Sequence, residues 1–141
     1  ACLTSRPKYD RRSHGTQETG NTKLLPRDRC FSARAIAFKR RVDAGKKINI
    51  NCLTIANARV LYMPGELFVE YQLAAQKMRP DLFVATAAYG QYSPGYIGTK
   101  IAYTQGGYET GKVSRVGPNV EDVLMGAMQK LLTAEANQAN H

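Results

Sequence analysis

Glu66 is the residue whose type and setting could do chemistry. It follows Met63-Pro64-Gly65, and downstream of it lies the loop Tyr89-Gly-Gln-Tyr92-Ser-Pro-Gly-Tyr96, with three tyrosines and two glycines. A carboxylate accepts hydrogen bonds, carries negative charge and can move a proton, while a phenol both donates and accepts. If folding brings the two stretches together, they form a polar site. Residue types alone leave a second reading open, in which Glu66 is an ordinary helix-start residue and the tyrosines are packing groups.

The surrounding pattern says how the two stretches would meet. Val60 to Met63 is a short apolar run halted by Pro64-Gly65, as a buried strand would be. From Glu66 the period changes: Leu67, Phe68, Tyr71, Ala75 and Met78 recur at three- and four-residue steps, which predicts an amphipathic helix. Arg79-Pro80 ends it, because the residue before a proline resists the helical region. Leu82 to Ala88 is almost wholly apolar and reads as a strand covered on both faces. Parallel strands joined in this way cross over right-handedly. The helix start and the loop after the second strand then share the carboxyl edge of the sheet, where open α/β sheets place their sites. Glu66 is thus expected on the first helical turn, where unpaired N–H groups favour an anion. The expected fold class is α/β: a small sheet built round a right-handed strand–helix–strand unit, with flanking helices and a disordered basic N-terminal leader.

Charge divides the chain. Residues 1–60 hold 14 Lys and Arg against 4 Asp and Glu, a balance of +10, and the remainder holds 6 against 7, a balance of −1, which together give the net +9. Residues 1–29 are polar, basic and aperiodic and are expected to be disordered. They have no apolar core segment, so no signal peptide is expected in this chain, and no apolar run approaches a membrane span. Phe31 to Asp43 follows a helical pattern along Phe31, Ala35, Phe38 and Val42, opened by Cys30 or Ser32. Ile48 to Ile55 reads as a strand, and Ala56-Asn57 as a tight turn into the strand at Val60. Thr99 to Gln105 is expected to be a short helix broken by Gly106-Gly107, and Tyr108 to Gly117 a loop or edge strand. Val120 to Leu132 is a helix with Val120, Leu124, Ala127, Met128 and Leu131 on its apolar face, followed by a frayed tail. The domain reading is therefore a leader over 1–29, a domain over 30–134 and a tail over 135–141.

Other constellations carry less. Lys39-Arg40-Arg41 with Lys46-Lys47 could bind phosphate or nucleic acid, but no aromatics interleave with them, so a solvated helix face is expected and nucleic acid is not. His14 and His141 each stand alone near an end of the chain and are expected to be solvated. Cys2, Cys30 and Cys52 are odd in number and widely spaced, matching neither a metal pair nor a disulfide framework.

Three stretches, MPGE (Met63 to Glu66), YGQYSPGYIGT (Tyr89 to Thr99) and AYTQGGYET (Ala102 to Thr110), resemble in that order the neutral, non-lysosomal ceramidases. The resemblance covers Ala33 to Leu132 and the last part of that family's catalytic domain. It implies a zinc-dependent amidase that splits an N-acyl amide bond in a lipid-like substrate. It also implies that Glu66 and Tyr96 are zinc ligands. The family's histidine ligands and catalytic serine lie upstream and have no counterpart here, so the chain is expected to be a fragment, inactive alone, whose partner is the missing N-terminal half of the domain. A competing expectation is a small non-catalytic binding protein whose basic N-terminal half contacts an acidic partner or a membrane surface.

Overall fold

The computed structural model describes residues 26–134. The leader up to residue 25 and the tail over 135–141, with His14, His141 and Cys2, lie outside the described residues. Helix α1 spans Pro26–Asp43, so it opens five residues before Phe31 and takes in residues assigned above to the leader. The physical reason is Pro26 itself: a proline at the first helical position has φ preset for the helix and lacks an N–H that would go unpaired there anyway.

Strands β1 (Asn51–Ile55) and β2 (Ala58–Tyr62) form the expected antiparallel hairpin, with Ile55 opposite Ala58 and Ala56-Asn57 as the two-residue turn. Residues 48–50, read above as strand, precede the ladder. A short strand β3 (Glu66–Leu67) follows, then helix α2 (Val69–Met78) and strand β4 (Phe83–Ala87). β2 and β4 run parallel with Val60 opposite Ala85, so α2 is the crossover of a strand–helix–strand unit. The main sheet has the order β1-β2-β4. Strand β5 (Tyr96–Ile97) pairs with β3 in a second, two-stranded parallel sheet. Helix α3 (Lys100–Gln105) is capped by Thr99, whose hydroxyl accepts the Ala102 N–H at 3.3 Å. Helix α4 (Val120–Ala134) closes the described chain.

The core lies between one face of the main sheet and two helices. Leu61 of β2, Met63 just after it and Val84 of β4 meet Tyr71 and Ala75 of α2 and Val120, Leu124, Met128 and Leu132 of α4. None of these is more than 2% exposed, and fully burying a side chain of this size contributes about 1.5–3 kcal/mol. Tyr71 carries the one phenol buried in this cluster and donates to the Gly98 carbonyl at 3.0 Å. Arg79 ties the helix ends together: its guanidinium forks onto Asp81 at 2.7 and 2.9 Å and donates to the Leu132 carbonyl at 2.8 Å.

The opposite face of the sheet is open among the described residues. Alternation along the strands puts Leu53 and Ile55, Val60 and Tyr62, and Phe83 and Ala85 on it, where Ile55 is 60% and Phe83 65% exposed. The expectation of a strand covered on both faces is thus corrected. The apolar run at Leu82 to Ala88 has one face on the core and the other uncovered among the described residues.

Gln72, on α2, completes the edge of β4. Its side-chain nitrogen donates to the Val84 carbonyl at 2.8 Å, and its oxygen accepts from the Thr86 N–H at 2.6 Å and the Thr86 hydroxyl at 2.8 Å. These are the backbone groups that point away from β2, so one side-chain amide fills positions a further strand would use.

Candidate functional site

Glu66 is not on the first turn of a helix. Gly65 turns the chain with φ +70°, and the backbone then pairs with the distant β5: the Glu66 N–H donates to Gly95 O at 3.0 Å and the Phe68 N–H to Ile97 O at 3.1 Å. α2 begins only at Val69, so Leu67 and Phe68 leave the helical stripe as well. Backbone pairing with residues far along the chain overrides the local periodicity. The helix dipole is therefore not what accommodates the Glu66 charge.

What faces Glu66 is Tyr96. The two are register partners across the parallel β3–β5 ladder, so their side chains project from the same face. The close approach needs glycine on both sides. A Cβ at Gly65 would stand 2.6 Å from Gly95 O, and one at Gly95, where φ is +86°, would stand 1.9 Å from Val113 O.

The tyrosines of the loop diverge. Tyr89 turns toward Glu66, its N–H donating to Gly65 O at 2.8 Å while the Gly90 N–H donates to Met63 O at 2.8 Å. Tyr92 goes elsewhere: its ring stacks on Phe38 of α1 at 5.9 Å, and the Arg41 guanidinium lies 4.5 Å from its centroid. Tyr89 and Tyr92 both adopt positive φ, +57° and +61°, and these two left-handed residues set the course of the loop.

Interaction with the carboxylate marks both remaining phenols. Hydrogen bonding to Glu66, with its negative charge close by, pushes Tyr89 up to about 12. The same cause raises Tyr96, which also feels the charge of Glu109. Both phenols therefore keep their protons at neutral pH, and an adjacent cation would be needed to favour their ionised forms. Tyr108 closes the far side, its ring meeting that of Tyr96 edge-on at 6.1 Å and an interplanar angle of 70°. Tyr103 and Ser114 share a hydrogen bond at 2.9 Å behind this loop.

The donor set is one carboxylate and two phenols. Among the described residues no three His, Cys, Asp or Glu come together, and no histidine occurs. Two members of the basic cluster make structural contacts: Lys39 pairs with Asp43 at 2.5 Å, and Arg41 donates to Lys47 O at 3.2 Å besides covering Tyr92, while Arg40, Lys46 and Lys47 are exposed. Sequence reasoning passed over Tyr89 as a distinct member of the site. The available signal was its place directly after an apolar strand, at the edge where Glu66 emerges from the other strand.

The architecture has known counterparts. The chain is similar to the neutral ceramidase of Pseudomonas aeruginosa, with a TM-score of 0.57 and 20% identity over 68% of this chain and 18% of that one. It is also similar to a ceramidase complexed with C2, with a TM-score of 0.56 and 20% identity over 63% of this chain and 15% of that one. No protein-family model and no characterised protein sequence matches it. The fold is ceramidase-like, and the chain spans less than a fifth of the length of these two structures.

Proposed function

We propose that residues 30–134 are part of the catalytic domain of a ceramidase-like, zinc-dependent amidohydrolase acting on an N-acyl amide bond in a lipid-like substrate. The observation that carries this is the register opposition of Glu66 and Tyr96 within a ceramidase-like fold. Zinc accepts carboxylate and other oxygen donors, but catalytic sites commonly use three protein ligands with histidine prominent among them. The residues present fit a portion of such a site. Glu66 would supply a carboxylate oxygen and Tyr96 its phenolate, releasing its proton on binding.

The bound ion would polarise the amide carbonyl. Register pairing on the short β3–β5 ladder supports this assignment, since residues 66 and 96 share one face, with the Tyr108 ring against Tyr96. Nitrogen ligands and a nucleophile would come from the remaining polypeptide of the domain, which is the partner on this reading, and the chain alone is inactive.

Calorimetric zinc titration of the 141-residue chain tests the assignment. Weak binding that disappears in Glu66→Ala and falls in Tyr96→Phe is expected, with no hydrolysis of ceramide or simple N-acyl amides. Zinc binding indifferent to both substitutions would overturn the site. Zinc-dependent amide hydrolysis by this chain, lost in Glu66→Ala, would overturn the fragment reading.

A further inference from the structure

A large aromatic side chain that is 62% exposed is not explained by packing, and Tyr89 is such a residue. Its backbone is costly as well. A bulky residue at φ +57° is an outlier of the kind that persists only when its surroundings enforce it, and such outliers gather at functional positions. Here the enforcement is visible. The Tyr89 N–H donates to the carbonyl of Gly65, the residue directly before Glu66, and the next N–H donates to Met63 O. Gly90 allows that approach, since a Cβ there would lie 2.9 Å from Met63 O. The loop after β4 is thus stitched to the turn that delivers Glu66, and Tyr89 is the side chain presented at the seam.

We propose that Tyr89 is a positioning residue of this site. Pinned to the turn before Glu66, it supplies a second phenol that holds the Glu66 carboxylate in the orientation it shares with Tyr96. A half-buried glutamate on a two-residue strand has several staggered rotamers open to it. The opposing Tyr96 restrains it along the ladder, and Tyr89 restrains it from the neighbouring loop. The strain at Tyr89 is then the cost of aiming one hydroxyl. As a cation-site component the role rests on the proposed function, whereas the restraint on Glu66 does not.

Tyr89→Phe removes only the hydroxyl. In the metal-free protein, carbon–proton and carbon–carbon couplings of Glu66 should report one dominant rotamer in the wild type and averaging in Tyr89→Phe. The melting temperature should stay unchanged, and Tyr92→Phe should leave Glu66 as it was. Zinc titrated into the same proteins should bind Tyr89→Phe about 10–100-fold more weakly, as loss of an outer partner of a ligand does. Unchanged Glu66 couplings in Tyr89→Phe would overturn the proposal. Loosened couplings together with no zinc binding by the wild type would support the positioning role and count against the metal assignment alone.

Discussion

Glu66 stands opposite Tyr96 across a ladder only two residues long, and their backbones reach this register through glycines at 65 and 95. The site therefore depends on backbone closeness more than on side-chain packing. Gly95→Ala puts a methyl carbon into the Val113 carbonyl and strains a left-handed residue. We expect it to destabilise the chain by at least about 2 kcal/mol and to separate β3 from β5. Urea unfolding measures the first effect, and cross-strand nuclear Overhauser contacts between residues 66 and 96 the second. Retention of both would show that the ladder tolerates what the geometry forbids.

Alkaline pH should unfold the protein through its buried phenol. Burial holds Tyr71 well above the ordinary value of 10.0, with Glu121 adding to the effect. A phenol raised in the folded state is protonated in both states below pH 10, so its contribution is fully present there. Above that pH the unfolded chain releases the proton first, and stability falls as pH continues to rise. Tyr89 and Tyr96 act in the same direction. Tyr71→Phe, which strips the bond to Gly98 O, should cost about 1–2 kcal/mol at pH 7. Its penalty should shrink between pH 10 and 11.5, and a constant penalty across that range would count against the assignment.

The uncovered sheet face predicts behaviour in solution. Leu53, Ile55, Tyr62 and Phe83 are all more than 40% exposed on one uncharged surface. Apolar patches of this kind favour association. Leu53→Lys combined with Phe83→Lys should reduce concentration-dependent association in sedimentation velocity while shifting stability by no more than about 0.5 kcal/mol per site. A loss of several kcal/mol would mean that the face is buried after all.

Much of this architecture was legible in residue order. The hairpin turn at Ala56-Asn57, the helix stop at Arg79-Pro80 and the Thr99 helix start rest on local rules, and the structure follows them; the α4 stripe holds at Val120, Leu124 and Met128 but ends on Leu132 rather than Leu131. Glu66 and the tyrosine loop stand out by residue type, the resemblance picks Tyr96 from that loop, and the two are register partners on the β3–β5 ladder. The β3–β5 ladder was not legible because it is too short to show a period, and its bonds run from residue 66 to residue 95. The divergence of Tyr89 from Tyr92 was equally hidden, since it depends on two left-handed backbone positions that side-chain identity does not announce. The role of Gln72 was hidden as well, because its amide meets Val84 and Thr86 only once α2 has folded back along β4.

That amide also guards one margin of the sheet. With Gln72 seated along Val84 and Thr86, a strand arriving beside β4 would first have to displace three hydrogen bonds. At the other margin, β1 is the terminal strand of the order β1-β2-β4. Additional polypeptide is therefore turned away from Phe83–Ala87, where a side chain holds the place of a strand.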